Sequence, residues 1–239
     1  MKTARGYKLD DRKDVDNFAR NGKGIPVETH NEENVWVPEL IFGHLLTSSN
    51  YDDSEKKVTG GRNGYGAKLA NIFSSEFTVE TTDSSVGKRY RQTFKNNMSV
   101  TEKPKITSYS KKDEYTMITF KPDFQKFNMT QFNDDIIALL KKRVYDMAGC
   151  VKDVKVFLNN ERLKIKNFKE YMQLYVSDRV DLQSSIVYEF VNDRWEIGAL
   201  PSPESQFQQV SVLFPFFFEK SHDFNIIYSF FIKFIDKLR

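Results

Sequence analysis

Cysteine is nearly absent: Cys150 is the only one in 239 residues. No internal disulfide can form, and without a Cys/His cluster no zinc site is expected. A buried free thiol is the expectation for Cys150. Histidine is scarce too, and His30, His44 and His222 are scattered without metal-ligand spacing or the makings of a triad. No run approaches the roughly 20 apolar residues that span a bilayer. The Phe-rich stretch that begins at Phe214 is cut by Glu219, Lys220 and Asp223. Residues 1–16 are charged and lack the apolar core of a signal peptide, so an intracellular protein is expected. The triplets Asn97-Met98-Ser99 and Asn128-Met129-Thr130 then read as chance matches to a glycosylation signal. An excess of one charge is also missing. With 36 basic and 33 acidic residues the net charge is +3, too even to mark a nucleic-acid binder by composition.

What is present suits a folded chain. Hydrophobic residues make up 39% and charged residues 29%, enough for one large domain or one domain and part of a second. The text changes character along its length. Residues 1–20 are polar with little periodicity, 21–213 read as ordinary folded protein, and 214–239 turn Phe- and Ile-rich. No internal repeat is visible. A helix is expected over 37–47, with Pro38 in its first turn, then a polar loop over 48–61 and a short helix over about 66–73. Strands are expected at 76–82, 88–95 and 115–120. Residues 133–148 form the clearest helical pattern, with Asn133, Asp134 and Asp135 at its start, an Ile136, Leu140, Val144, Met147 stripe and Gly149 as its stop. A hairpin over Asn159-Asn160 should join 154–158 to 162–165, with further strands at 186–190, 194–199 and 206–213. Strands and helices mixed in this way indicate an α+β fold with a mixed sheet.

Three segments carry chemistry. In Thr59-Gly60-Gly61-Arg62-Asn63-Gly64-Tyr65-Gly66-Ala67-Lys68, four glycines fall within seven residues. They free the backbone to turn and bring its N–H groups to a ligand just before a helix start, where phosphate is attracted. Lys68 adds a full positive charge one turn in. The spacing fits neither a Walker A loop nor the dinucleotide and kinase glycine patterns. Asn21-Gly22-Lys23-Gly24-Ile25-Pro26 forms a sharp turn, for which a plain β-turn is the simpler reading. Leu46-Thr47-Ser48-Ser49-Asn50-Tyr51-Asp52-Asp53 gathers small hydroxyl and amide groups that suit ribose or phosphate oxygens, or a solvated loop.

Together these segments resemble the nucleotide pocket of the GHKL ATPases, and more closely that of the eukaryotic type II DNA topoisomerases. The resemblance covers about residues 21–212. It continues through Phe77-Thr78-Val79-Glu80-Thr81, Ile118-Thr119-Phe120-Lys121-Pro122-Asp123 and Phe207-Gln208-Gln209-Val210-Ser211. It implies a GHKL mixed sheet layered on helices. Residues 21–166 would form a partial ATPase domain, 167–213 the start of a transducer domain, 1–20 a divergent segment and 214–239 an unrelated tail. It also implies an ATP site. Gly61, Arg62, Asn63, Gly64, Tyr65, Gly66, Ala67 and Lys68 would wrap the triphosphate. Ser48, Ser49 and Asn50 would touch ribose and phosphates, and Thr119 would lie behind the adenine. ATP with Mg2+ is the implied cofactor set. A homodimer, DNA handled by the full-length enzyme, a nuclear location and no membrane contact complete the picture.

The likeness breaks at both ends. The family has a helix before the Asn-Gly-Lys-Gly turn, bearing the general-base Glu and a magnesium-binding Asn, and residues 1–20 do not reproduce it. No catalytic residue and no metal ligand is therefore expected in this chain. Arg20 stands where a polar acceptor normally reads the adenine amino group, and a guanidinium has donors only. The Gln-Thr-Lys loop that reaches the terminal phosphate is also missing. Weak nucleotide binding without useful turnover is the expectation, with a degenerate binding or dimerisation module as the alternative. A kinase-like phosphotransferase would need a phospho-accepting His domain. Lys56, Lys57, Lys141, Lys142 and Arg143 fit a solvated surface better than a DNA contact.

Overall fold

The computed structural model describes residues 4–10, 14–20, 22–45, 64–151, 154–176, 186–192 and 195–199. The chain opens with a hairpin, β1 (Ala4–Asp10) and β2 (Asp14–Arg20). The sequence predicts no element over 1–20. The strands are there because their partners lie far along the chain: β2 pairs with a strand near residue 120 and β1 with one near 155.

Helix α1 (Val37–Gly43) carries Pro38 in its first turn, where a missing N–H costs nothing. It ends at Gly43, with His44 already extended, so it is shorter than the predicted 37–47. A Cβ on Gly43 would sit 2.7 Å from a Phe94 ring carbon, so the helix end lies directly on that ring. Helix α2 (Tyr65–Ile72) begins after Gly64, whose φ of 64° is the left-handed conformation that favours glycine. It leads into the long strand β3 (Ser74–Asp83) and β4 (Lys88–Lys95). Two short strands without a sequence signal follow, β5 (Val100–Thr101) and β6 (Lys105–Ser108), then β7 (Tyr115–Pro122).

Helix α3 (Asp134–Cys150) starts as its sequence predicts: the Asn133 side chain accepts the Ile136 N–H at 2.9 Å. Gly149 does not stop it. A Cβ there would come within 2.5 Å of Tyr171, so the glycine is a point of close helix packing inside α3. Strands β8 (Lys155–Leu158) and β9 (Glu161–Arg162) form the predicted hairpin, with Asn159 and Asn160 both at positive φ. Helix α4 (Phe168–Gln173) packs on α3, and the hairpin of β10 (Val187–Asn192) and β11 (Trp195–Ala199) packs on α4. The predicted strand over 206–213 lies outside the described residues.

Among the described residues, nine strands form one sheet in the order β5-β4-β3-β7-β2-β1-β8-β9, with β6 also on β4; β10 and β11 pair apart from it. The β1–β8 pair is parallel and the other pairs are antiparallel. This is the mixed α+β sheet that the sequence predicts. Helices α1, α2 and α3 cover one face. Phe42, Ala67, Ala70, Ile136 and Leu140 from the helices meet Phe77, Val79, Phe94, Ile118 and Phe120 from the strands. Each such large side chain taken out of water contributes about 1.5–3 kcal/mol.

Candidate functional site

The covered face of the sheet carries polar groups at one end. Along β3 the side chains of Phe77, Val79 and Thr81 alternate onto that face, and along β7 those of Phe120, Ile118 and Thr116 do, paired in register. Thr81 and Thr116 therefore stand side by side just beyond the apolar core, with their hydroxyl oxygens 2.9 Å apart. Thr119 lies on the opposite face. Its cross-strand partner is Thr78, whose hydroxyl is 3.0 Å from that of Thr93. The alternation thus places Thr116, and not Thr119, on the side of α1 and α2. That parity is legible in Thr116-Met117-Ile118-Thr119-Phe120, since the two core residues Ile118 and Phe120 fix which face is covered.

Beside these threonines runs the Asn-Gly-Lys-Gly segment. A Cβ on Gly24 would collide with the Thr82 carbonyl, so glycine is required by close approach to β3. The segment has no strand partner there. Its amides go to side chains instead: Gly24 N–H to Glu114 Oε2 at 2.8 Å, Ile25 N–H to Thr81 Oγ1 at 3.0 Å and Val27 N–H to Asp83 Oδ2 at 3.0 Å. Pro26 has no N–H to give. Sequence reasoning missed these acceptors, because nothing in the spacing of Thr81, Asp83 and Glu114 shows that they converge on residues 24–27.

Both carboxylates are held ionised. Burial opposes the charge on Glu114, but hydrogen bonds from the Ser84 hydroxyl and from the Gly24 and Ser84 amides outweigh it and keep its pKa below the ordinary value. Burial likewise opposes the charge on Asp83, and is outweighed by the Ser85 hydroxyl and the amides of Val27, Ser85 and Val86. Of the neighbouring acids, Glu80 accepts from the Tyr115 hydroxyl and pairs with Arg91 at 3.5 Å. Glu39 accepts from the Gln92 amide at 2.8 Å.

The glycine-rich segment enters the described structure at Gly64. Of its predicted phosphate-binding residues, Gly64, Tyr65, Gly66, Ala67 and Lys68 form the cap and first turn of α2. Its first N–H groups have no partner within the helix, so this end favours an anion. The Lys68 side chain turns inward and is only 3% exposed, and burial lowers its pKa. The helix is fastened to α1 by Asn71, whose Nδ2 donates to the Phe42 carbonyl at 3.1 Å. Ser48, Ser49, Asn50, Gly61, Arg62 and Asn63 lie outside the described residues.

No cluster of His, Cys, Asp or Glu among the described residues could hold a metal. The nearest carboxylates, Asp83 and Glu114, already accept backbone amides. The described residues therefore do not fit a magnesium-ligand set. No described helix is long and apolar enough to cross a membrane.

A mixed sheet with helices on one face, a glycine-capped helix start and a glycine turn pinned beside paired threonines defines a GHKL-type ATPase domain. The ATPase region of Saccharomyces cerevisiae topoisomerase II superposes with a TM-score of 0.77 at 52% identity, covering 82% of this chain and 51% of that one. The ATPase and transducer domains of the Balamuthia mandrillaris enzyme give 0.79 at 48% identity, over 88% of this chain and 53% of that one. The 43K ATPase domain of Thermus thermophilus gyrase B, at 20% identity and a TM-score of 0.56, shares the fold. In sequence, the chain is 54% identical over 203 residues to a probable DNA topoisomerase 2 of Dictyostelium discoideum, and 52% identical over 206 residues to DNA topoisomerase 2 of Saccharomyces cerevisiae. No protein-family model matches it. The chain belongs to the eukaryotic DNA topoisomerase 2 family and corresponds to part of its ATPase region. It spans 13% and 14% of the length of those two relatives.

Proposed function

We propose that this chain binds ATP, with the triphosphate at the start of α2 and the base against Thr116, and that the described residues bind without hydrolysing. The observation that supports this reading most is the start of α2. A left-handed Gly64 leads into a first turn whose N–H groups have no partner within the helix, and the same turn carries the buried Lys68. A buried cation in the first turn of a helix suits a polyanion better than a solvated surface does. Ser48, Ser49, Asn50, Gly61, Arg62 and Asn63 complete the proposed site, and Thr116 takes the place given to Thr119 by the sequence. No general base is assigned, because Glu39, Glu80, Asp83 and Glu114 are each engaged by other groups. In the longer protein the same region would couple ATP to DNA strand passage as a homodimer in the nucleus. In this reading residues 167–213 would begin a transducer domain.

The test is calorimetry of the purified chain with a non-hydrolysable ATP analogue and magnesium. Binding is expected, weakened about tenfold or more in Lys68→Met, which keeps the buried stem and removes the charge. No binding by a folded, soluble sample would overturn the reading. Phosphate release above background from ATP would overturn the assignment of binding alone.

A further inference from the structure

Residues 24–27 have an unusual attachment. Every N–H they possess is given to a side chain, and the three acceptors come from only two places, the end of β3 and the start of β7. Glu114 differs from the other two. Thr81 and Asp83 belong to β3, whereas Glu114 stands two residues before Thr116 and directly ahead of β7. Its two oxygens face different ways. Oε2 takes the Gly24 N–H at 2.8 Å, while Oε1 takes the Ser84 N–H at 2.9 Å and the Ser84 hydroxyl at 2.6 Å. One carboxylate thus ties three backbone segments together at the point where β7 stops pairing with β3, beyond Thr81 and Thr116.

We infer that Glu114 is a positioning residue for the nucleotide base: it fixes the Gly24 turn against β7, and so sets the distance between that turn and the Thr116 hydroxyl. The inference rests on the ATP-binding reading above and adds to it the group that holds the two sides of the base site in register. The hydrogen bonds of Glu114 go to Gly24 and Ser84, whereas the phosphates would lie at the start of α2. Removal of Glu114 should therefore disturb recognition of the base and leave the phosphate end alone. The turn keeps two of its three anchors when Glu114 is replaced, and the apolar core holds no part of Glu114, so the variant retains its fold.

The experiment uses the whole chain and the variants Glu114→Ala and Glu114→Gln. Gln keeps an acceptor for Ser84 but presents an amide donor, or no second carboxylate oxygen, to Gly24. Amide hydrogen exchange is read at Gly24, with Phe77 and Phe94 as core references. Affinity is measured for ATP and for inosine triphosphate, which share the triphosphate and differ in the base. The expected result is exchange at Gly24 about tenfold faster in Glu114→Ala with Phe77 and Phe94 unchanged. The preference for ATP over inosine triphosphate should shrink by about fivefold to tenfold, with Glu114→Gln in between. Unchanged exchange at Gly24 would overturn the inference at its structural step. Equal weakening of both nucleotides would reduce Glu114 to a structural residue and overturn it at its functional step, as would a wild-type chain that binds both alike. A wild-type chain that binds neither nucleotide would overturn the ATP-binding reading itself, while exchange at Gly24 would still report whether Glu114 holds the turn.

Discussion

Thr81 and Thr116 share one hydrogen-bonding system across the β3–β7 ladder, and the Ile25 amide enters it from the side. The Thr81 oxygen accepts the Ile25 N–H at 3.0 Å, lies 2.9 Å from the Thr116 oxygen and can donate to the Tyr115 carbonyl at 3.2 Å. Thr81 is fully buried, so it has only these neighbours to satisfy it. Thr116 is half-buried at the rim of the core and has hydrogen-bonding capacity left for a ligand.

From that arrangement Thr116→Val should weaken binding of an ATP analogue by about fivefold to tenfold, the worth of one hydrogen bond in a partly dry site. Thr119→Val, on the opposite face, should change it by less than about twofold. Calorimetry on the two variants distinguishes them. A larger effect at Thr119 would mean that the base lies across the uncovered face.

Acid should loosen the Gly24 turn. The pKa values of Asp83 and Glu114 are depressed in the folded chain, from ordinary values of 3.8 and 4.5. A depressed carboxylate stabilises the fold at every pH above its unfolded value, and that contribution is lost as pH falls towards the folded value. Thermal midpoints should therefore be flat from neutral pH to about 5 and fall below it. In the double variant Asp83→Asn, Glu114→Gln the acid limb should be shallower. An identical limb would place the acid sensitivity elsewhere.

A second polar cluster joins α3 to α4. Buried Asp146 accepts from Lys142 at 2.8 Å, from Arg143 at 2.9 Å and from the Tyr171 hydroxyl at 2.6 Å, and Tyr171 lies 2.7 Å from the Tyr175 hydroxyl. Of the five cations that the sequence assigns to a solvated surface, Lys142 and Arg143 thus pair with a buried carboxylate. Removing one partner from such a cluster costs about 3–5 kcal/mol when all members are dry. The Lys142 side chain is 45% exposed, so about 2–3 kcal/mol is expected for Asp146→Ala. Tyr171→Phe should cost about 1 kcal/mol. Urea unfolding measures both, and equal costs would show that the ion pairs add nothing to the tyrosine hydrogen bond.

The β10–β11 hairpin presents an apolar outer side. Val187 is 69% exposed, Trp195 63% and Ile197 55%, while Gly198 on the other side meets Met172 of α4. Such a cluster on a two-stranded ribbon promotes association. The double substitution Trp195→Ser, Ile197→Thr should reduce self-association in sedimentation at raised concentration and change the unfolding midpoint little. Unchanged association would point to another surface.

Elements with a strong period were legible in the sequence. Strand β4 falls over its predicted residues, β3, β7 and α2 differ from prediction only at their ends, and Asn133 caps α3 as its side chain suggested. What stayed hidden was long-range. Strands β1 and β2 have no alternation to show, because what fixes them is pairing with β8 and β7. In the sequence Gly149 has the look of a helix stop, but its lack of a side chain serves the approach of Tyr171. The family resemblance picks out Thr119, and the strand pairing of β7 puts Thr116 on the helix-covered face. The converging acceptors around Gly24 lie 56 to 90 residues from the amides that they bind, a separation no local pattern reports.

The parallel pairing of β1 with β8 sets a constraint on how this molecule is made. Ala4 lies opposite Lys155, and Arg20 opposite Tyr115. On the ribosome, the first strands emerge long before either partner exists. They must wait through the synthesis of about a hundred residues or more, a time of several seconds at ordinary translation rates. Such high contact order makes closure of this side of the sheet a late event, and the waiting hairpin a natural client for a chaperone.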